Sequence, residues 1–414
     1  MNSIDSSQNG TVTGQEASTK KSTRLHYLDW LQVLAVLGVF LFHAVHPFDD
    51  LYPWHIKNAE SSALVDIFVG FFASWGMPFF FLMAGATSWF SLRRRTAGRY
   101  LSERVTRLLI PYIVGAIVLT PIQAYYELIH KGWWKNGSIV EFILSSEDRT
   151  YFYTEFTQIS LSPQIFGDLG YHLWFVAFLF AYALIALPVF LWLNAPSGKR
   201  FILRLAALAK WRGSLLVFVI PLIFTRLILQ PLFPDLNGWS DFTFMLLFFI
   251  LGYILITEER FTQAIRRDWL LHLIVGIACM SFFIFMPVYD WIGSPATPGF
   301  YLSWSLHAIN SWCWTMFIFY IGMRYLDFTN KSLHYAREAS YPFFFIHQPM
   351  IIFIAFYAVQ WQVPLSVKLL AVVIGSLVIS LGCYELFIRR INPVRALFGM
   401  KPRKSKANNN ARKI

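Results

Sequence analysis

The sequence predicts an all-α integral membrane protein, a bundle of about ten transmembrane helices with both termini cytoplasmic. Three observations carry that reading. First, 56% of the 414 residues are hydrophobic and only 14% are charged; a water-facing domain usually carries roughly 25% charged residues. Second, runs such as Leu31 to Phe42, Leu246 to Ile256 and Leu369 to Leu381 are almost free of charge. They approach or form part of stretches of about 20 apolar residues, the length that crosses a bilayer core. They lack the polar–apolar alternation of a membrane β-barrel. Third, the cations are unevenly placed along the chain.

The hydrophobic pattern places helices at about 30–48, 64–91, 105–128, 172–193, 215–232, 242–257, 269–288, 302–322, 340–360 and 367–388. Of the 35 Lys and Arg residues, 29 fall in alternate connections and at the two ends. The other side holds Lys57, Lys131, Lys135, Arg149 and Lys368, and Arg226 lies within a span. This asymmetry is the positive-inside pattern, so it puts both termini in the cytoplasm and requires an even number of spans. The net charge of +12 is then mostly topological, and a nucleic-acid partner loses its support. The bilayer is the expected partner, in a multi-pass protein of the cell membrane, inner or plasma.

Residues 1–22 are polar and read as a disordered cytoplasmic tail. Residues 23–400 read as one membrane domain, and 401–414 as a basic cytoplasmic tail. No small-residue cleavage pattern precedes the first helix, which reads as an uncleaved anchor. No internal repeat is visible, which counts against transporter folds built from duplicated halves. Cys279, Cys313 and Cys383 fall inside expected spans with no metal-ligand spacing, so no metal site is expected. The sequence leaves self-association into a homo-oligomer open.

The first helix carries most of the chemical signal. Asp29, Gln32, Val36, Val39, His43 and His46 share one stripe, polar at both ends. At 100° and 1.5 Å per residue, Gln32 and His43 lie on nearly one face, about 16 Å apart. Ionisable groups within a span usually face the bundle interior, and histidine suits general-base work near neutral pH. The same spacing also fits a histidine that only caps the outer interface. After the second helix, Arg93, Arg94, Arg95, Arg99, Arg104 and Arg107 put six guanidiniums into fifteen residues. They suit a phosphate-bearing ligand such as coenzyme A, or equally the headgroups of anionic lipids. His172 and Trp174 open the fourth span and His347 sits in the ninth; each fits a substrate cavity or simple packing. The outer segment 129–171 holds Trp133, Trp134, Tyr151, Phe152, Tyr153 and Phe156. They could stack on sugar rings or form an interfacial aromatic belt. Arg226 calls for a carboxylate partner that the sequence does not name, and Glu385 is one turn from Arg389. No Gly-x-Ser-x-Gly, Walker, His-Glu-x-x-His or Cys-x-x-Cys pattern occurs.

At these residues the chain resembles acyltransferase family 3, and within it the branch of glucan-modifying succinyltransferases. The resemblance rests on Leu28-Asp29-Trp30-Leu31 with His43, Phe79 to Gly85, Arg93 to Pro111, and Leu173-Trp174-Phe175. It continues through Ser340 to His347 and Glu385 to Arg390, with Leu397-Phe398-Gly399. It covers about 25–400. It implies an O-acyltransferase that takes an acetyl or succinyl group from cytoplasmic acyl-CoA, a co-substrate and not a resident cofactor. The acceptor it implies is a hydroxyl of an extracytoplasmic glycan. On this resemblance His43 and Asp29 are catalytic, and Gln32, Arg93, Arg94, Arg104 and Arg107 bind the donor. His172, Trp174 and His347 line the substrate site. Gln32 stands where the family pattern has a basic residue, eleven positions before the histidine. A transporter of a glycan or acylated metabolite, and an inactive family member, are the competing readings.

Overall fold

The computed structural model describes residues 25–134, 137–144, 162–285, 295 and 297–403. Among these residues there are helices and no strands. Helix α1 (His26–Val45) continues into a 3-10 turn, His46–Phe48, and α2 spans Ala63–Leu92. A third run joins α3 (Ala97–Arg104), a π-helical turn (Val105–Leu109), α4 (Ile110–Val118) and α5 (Thr120–His130). After α6 (Ile139–Leu144) come α7 (Ile165–Gly170), α8 (Trp174–Ile185), α9 (Leu187–Asn194) and α10 (Pro196–Leu208). Next are α11 (Val219–Leu229), α12 (Trp239–Leu255), α13 (Glu259–Arg267) and α14 (Trp269–Phe285). The last four are α15 (Pro298–Tyr325), α16 (Lys331–Ala358), α17 (Leu365–Cys383) and α18 (Asn392–Leu397).

The prolines explain much of this segmentation. α4, α5, α9 and α10 each begin with Pro in the first turn, where its missing N–H costs nothing. Side chains cap other starts: Thr297 accepts from the Phe300 amide and Asn330 from the Leu333 amide.

Among the described residues each of the ten expected segments falls mostly on helix, with 286–288 of the seventh lying outside the described residues. By length and composition six runs can cross a membrane, and seven if α12 and α13, bent by 106°, count as one. Ser214–Leu229 and Trp269–Phe285 are apolar but shorter. α15 is long enough at 28 residues, but Ser303, Ser305, His307, Asn310 and Ser311 interrupt its apolar run. The outward faces are apolar. On α17, Val367, Leu370, Ile374 and Val378 are all exposed at helical spacing, as a lipid-facing stripe requires.

The basic connections gather at one end of the bundle. There Arg337 pairs with Asp29 at 3.5 Å, and the Trp30 indole N–H donates to the Phe328 carbonyl at 3.0 Å. Arg267 donates to the carbonyls of Ala209, Lys210 and Trp211. At the opposite end Lys368 donates to Asn58 at 3.0 Å. Arg226 is buried with Nη1 2.7 Å from the Asp241 carboxylate, and it also donates to Gln230 and Ser240. Asp241 is thus the partner that the sequence left unnamed. Glu385 pairs with Arg389 at 2.8 Å, as the one-turn spacing implies.

Helix α1 is central, touching α2, α15, α16 and α17. α2 and α12 meet backbone to backbone. A Cβ on Gly85 would fall 1.8 Å from the Phe249 carbonyl oxygen, and one on Gly252 1.9 Å from that of Leu82. Gly85 closes the run of phenylalanines beginning at Phe79; the glycine serves close packing of these two helices.

Candidate active site

Near the end opposite the basic connections, five histidines from four parts of the chain come together. His43 lies in the last turn of α1, and His46 opens the 3-10 turn that follows. His55 is in the loop before α2, His172 is in the 3-10 turn before α8, and His347 is on α16. The His43 and His347 rings stack, with centroids 5.2 Å apart. The His172 ring stands perpendicular to both, at 6.3 and 5.3 Å. Trp54 closes one side, 5.3 Å from His43 and stacked on His46 at 4.4 Å. His347 and His172 are buried, whereas His43 is only half-buried. Among the described residues, no group of three or more His, Cys, Asp or Glu side chains could hold a metal ion.

Hydrogen-bond partners assign the tautomers. His347 Nδ1 is 2.7 Å from the Phe344 carbonyl, which can only accept, so Nδ1 carries the proton. In the neutral ring Nε2 then accepts, and it faces His43 Nδ1 at 3.2 Å. His43 therefore donates from Nδ1 and keeps its lone pair on Nε2. The chain of bonds presents His43 Nε2 as a base.

α16 prepares part of this arrangement through its own backbone. Pro349 has no N–H, so the Phe345 carbonyl, four residues earlier, lacks its helical donor. His172 Nε2 takes that place at 3.1 Å. Pro349→Ala is expected to restore the helical bond and release His172. Loss of the His172–Phe345 coupling in the imidazole ¹⁵N spectrum, with the helix content unchanged, is the measurement that checks it.

The loop after α1 is pinned by a second set of contacts. His46 Nδ1 lies 2.6 Å from the Asp49 carboxylate. Lys57 donates to the carbonyls of His46 and Asp49 at 2.9 and 2.6 Å. Burial pushes the Asp49 carboxyl up. The hydrogen bond and charge of His46, the Tyr52 amide and the Lys57 charge outweigh it, and hold the group below the usual carboxylate range. A depressed folded-state pKa stabilises the loop above the ordinary carboxylate pKa, and that contribution is lost as pH falls through the depressed value. The protection of the Leu51 and Tyr52 amides against hydrogen exchange, both bonded to Asp49, is expected to fall only below about pH 4.

Of the residues singled out in the sequence, His43, His172 and His347 meet here. Trp174 does not join them; its ring packs on Phe178 at 5.0 Å and Phe81 at 6.3 Å. Asp29 lies fourteen residues from His43, about 21 Å along the helix axis, and pairs with Arg337 at the basic end. It ties α1 to the start of α16 and does not touch His43. Gln32 is exposed near that end, on the same face as buried Val36 and Val39. Arg104 donates to Ser88 and lies 4.7 Å over the Tyr100 ring, while Arg93 stacks on Trp89 at 4.6 Å. Arg94 and Arg107 are exposed. The π-helical turn leaves the Arg107 carbonyl to accept from the Tyr341 hydroxyl, six residues below His347 on α16. Gly399, at φ 64°, packs on the Arg107 backbone. The arginines expected to bind the donor thus sit at the end away from the histidines. Of the aromatic segment 129–171, Trp133 is exposed and Trp134 packs on Phe142 at 5.5 Å. Tyr151, Phe152, Tyr153 and Phe156 lie outside the described residues.

Sequence reasoning missed His55, Glu127 and Trp54. His55 Nδ1 lies 2.5 Å from the Glu127 carboxylate, which also binds Lys131. A lone acid in the apolar run Ala124 to Ile129 was the available signal.

A bundle of apolar helices thus encloses a hydrogen-bonded pair of histidines. A family model described as an acyltransferase domain matches residues 25–385, and the chain belongs to acyltransferase family 3. It is a multi-pass membrane acyltransferase. Among known proteins it is similar to the glucans biosynthesis protein C of Salmonella paratyphi B, Salmonella agona and Salmonella dublin. Each is 23% identical over 408 residues, covering 93% of this chain and 97% of the relative. No solved structure matches it.

Proposed function

We propose that the chain transfers an acyl group, acetyl or succinyl, from acyl-CoA at the basic end to a carbohydrate hydroxyl at the histidine end. The observation that carries this reading is the chain Phe344 carbonyl, His347, His43, which leaves His43 Nε2 unprotonated. In the proposed reaction Nε2 removes the hydroxyl proton as the oxygen attacks the thioester carbonyl. The carbon–sulfur bond breaks and the departing thiolate takes the proton from Nε2.

The charge pattern supports a basic end in the cytoplasm, both termini there, and about ten crossings of the cell membrane. On that topology Arg93, Arg94, Arg104 and Arg107 face a cytoplasmic donor and bind its phosphates. The acyl-bearing arm runs from Gln32 along the Val36 and Val39 face toward His43. Gln32 contributes hydrogen bonds there without charge. Asp29 acts by positioning α1 against α16, and His347 and His172 orient the base and the acceptor. The similar proteins are named for glucans biosynthesis, which makes a glucan the first acceptor to try.

The test is release of free coenzyme A from radiolabelled acetyl- or succinyl-CoA by the protein in nanodiscs, with and without a glucan fraction. Acceptor-dependent release is expected. Donor binding without release would point to an inactive family member, and absence of donor binding to a transporter.

A further inference from the structure

Two buried hydrogen-bond acceptors at this histidine end, Gln348 Oε1 and His172 Nδ1, have no partner among the described residues. Gln348 is 2% exposed and His172 5%. Buried polar atoms are almost always satisfied, so two such atoms at one site call for an explanation.

The protonation pattern around them is set from outside the cage. Lys131 pairs with the Glu127 carboxylate, which can then only accept. His55 must donate to it from Nδ1, which leaves Nε2 of the neutral ring as an acceptor. His55 Nε2 faces the Gln348 side-chain nitrogen at 3.2 Å. That contact is a hydrogen bond only if Gln348 presents its NH₂ to His55, turning its carbonyl oxygen away. A flipped amide would bring two lone pairs together. Glu127 thus orients an amide it does not touch. His172 is fixed independently: its Nε2 donates to the Phe345 carbonyl, so Nδ1 is an acceptor as well. The two sites are linked in space, because His55 also packs its ring edge against Tyr171, next to His172, at 4.7 Å.

We propose that Glu127, His55 and Gln348 form a positioning relay, which holds the Gln348 carbonyl oxygen to accept from one hydroxyl of the acceptor substrate, with His172 Nδ1 as an acceptor for a second. The assignment rests on the reading of the histidine end as the acceptor side. It favours a neutral polyol offering two hydroxyls over an anion. A phosphate or carboxylate, which brings only acceptors, meets repulsion at both positions. His43, on the same cage wall, then faces a hydroxyl already oriented by its neighbours. None of the three relay residues exchanges a proton with the substrate in this scheme.

The relay is tested by binding alone, with no acyl donor present, so that its failure is distinct from failure of His43 as the base. The probe is a neutral glucose hexasaccharide, titrated into the full chain in nanodiscs, with acyl-CoA titrated separately. Gln348→Met keeps the volume and removes the acceptor; hexasaccharide affinity is expected to fall about tenfold, the effect of one buried hydrogen bond. Glu127→Gln frees the His55 tautomer and is expected to weaken the hexasaccharide in the same direction, with acyl-CoA affinity and melting temperature unchanged. In the wild type the His55 imidazole ¹⁵N shifts should report a proton on Nδ1, and in Glu127→Gln a mixture. Unchanged hexasaccharide binding in both variants overturns the relay. So does an equal loss of hexasaccharide and acyl-CoA binding, which marks a structural role, and so does absence of hexasaccharide binding by the wild type.

Discussion

Replacing His43 by Asn is expected to lower acyl transfer by about 10²–10⁴-fold, the usual contribution of a positioned base. The substitution is chosen for what it keeps. The Asn side-chain nitrogen can stand near the position of His43 Nδ1 and still donate to His347 Nε2, now 3.2 Å away. The bond to the Phe344 carbonyl beyond it, at 2.7 Å, is untouched. Only the lone pair on Nε2 is removed. His43 is half-buried, so no large cavity follows, and the melting temperature should move by a few degrees at most. His43→Ala removes the donor as well, leaves His347 Nε2 unpaired, and should cost more stability for a similar loss of rate. Wild-type turnover by a folded His43→Asn protein would dismiss His43 as the base.

Gly252→Leu is expected to abolish the folded bundle. Its Cβ would sit 1.9 Å from the Leu82 carbonyl oxygen, 2.7 Å from the carbonyl carbon and 2.9 Å from the Leu82 Cα. These are backbone atoms of a helix and cannot swing aside. The cost should exceed the about 1–3 kcal/mol of an ordinary overpacked core, because α2 and α12 would have to separate along their contact. Gly85→Leu meets the Phe249 carbonyl in the same way and should behave alike. Gly98→Leu, with open space around it, is the control. Size-exclusion and thermal unfolding in detergent read the result. A monodisperse Gly252→Leu protein melting with the wild type would contradict the close approach of the two helices.

What was legible in the sequence follows from periodicity. The stripe from Asp29 to His46 is a property of one helix, and it correctly put Val36, Val39 and His43 on one face. That His172 and His347 join His43 follows from the same rule, that ionisable groups in apolar segments turn inward. The apolar runs were equally plain, but α15 and the short helices at Ser214–Leu229 and Trp269–Phe285 show the limit of length and composition for counting crossings. Asp29 shows another limit. Its place in a motif with His43 suggests shared chemistry, while helix rise alone separates them, and the ion pair with Arg337 spans 308 positions of sequence that no local pattern connects. His55 and Glu127 are 72 residues apart, one in a loop and one in a helix, and only the folded chain brings them into contact. The part played by Pro349 was hidden differently. A proline in a span reads as a helix breaker, whereas its effect here is to lend a carbonyl to a histidine from another segment.

The glycine contact between α2 and α12 also bears on motion. Two helices locked backbone to backbone cannot slide or rotate past each other without losing van der Waals contact along the crossing. They act as a fixed frame. Any opening that admits ligands to His43 therefore belongs to the facing side, where α16 carries two prolines, Pro342 and Pro349, within its length. Each removes a rung of the helical ladder and makes local bending less costly. The helix that supplies His347 and Gln348 is thereby the wall that is less costly to bend, and the groups proposed to orient the acceptor ride on it.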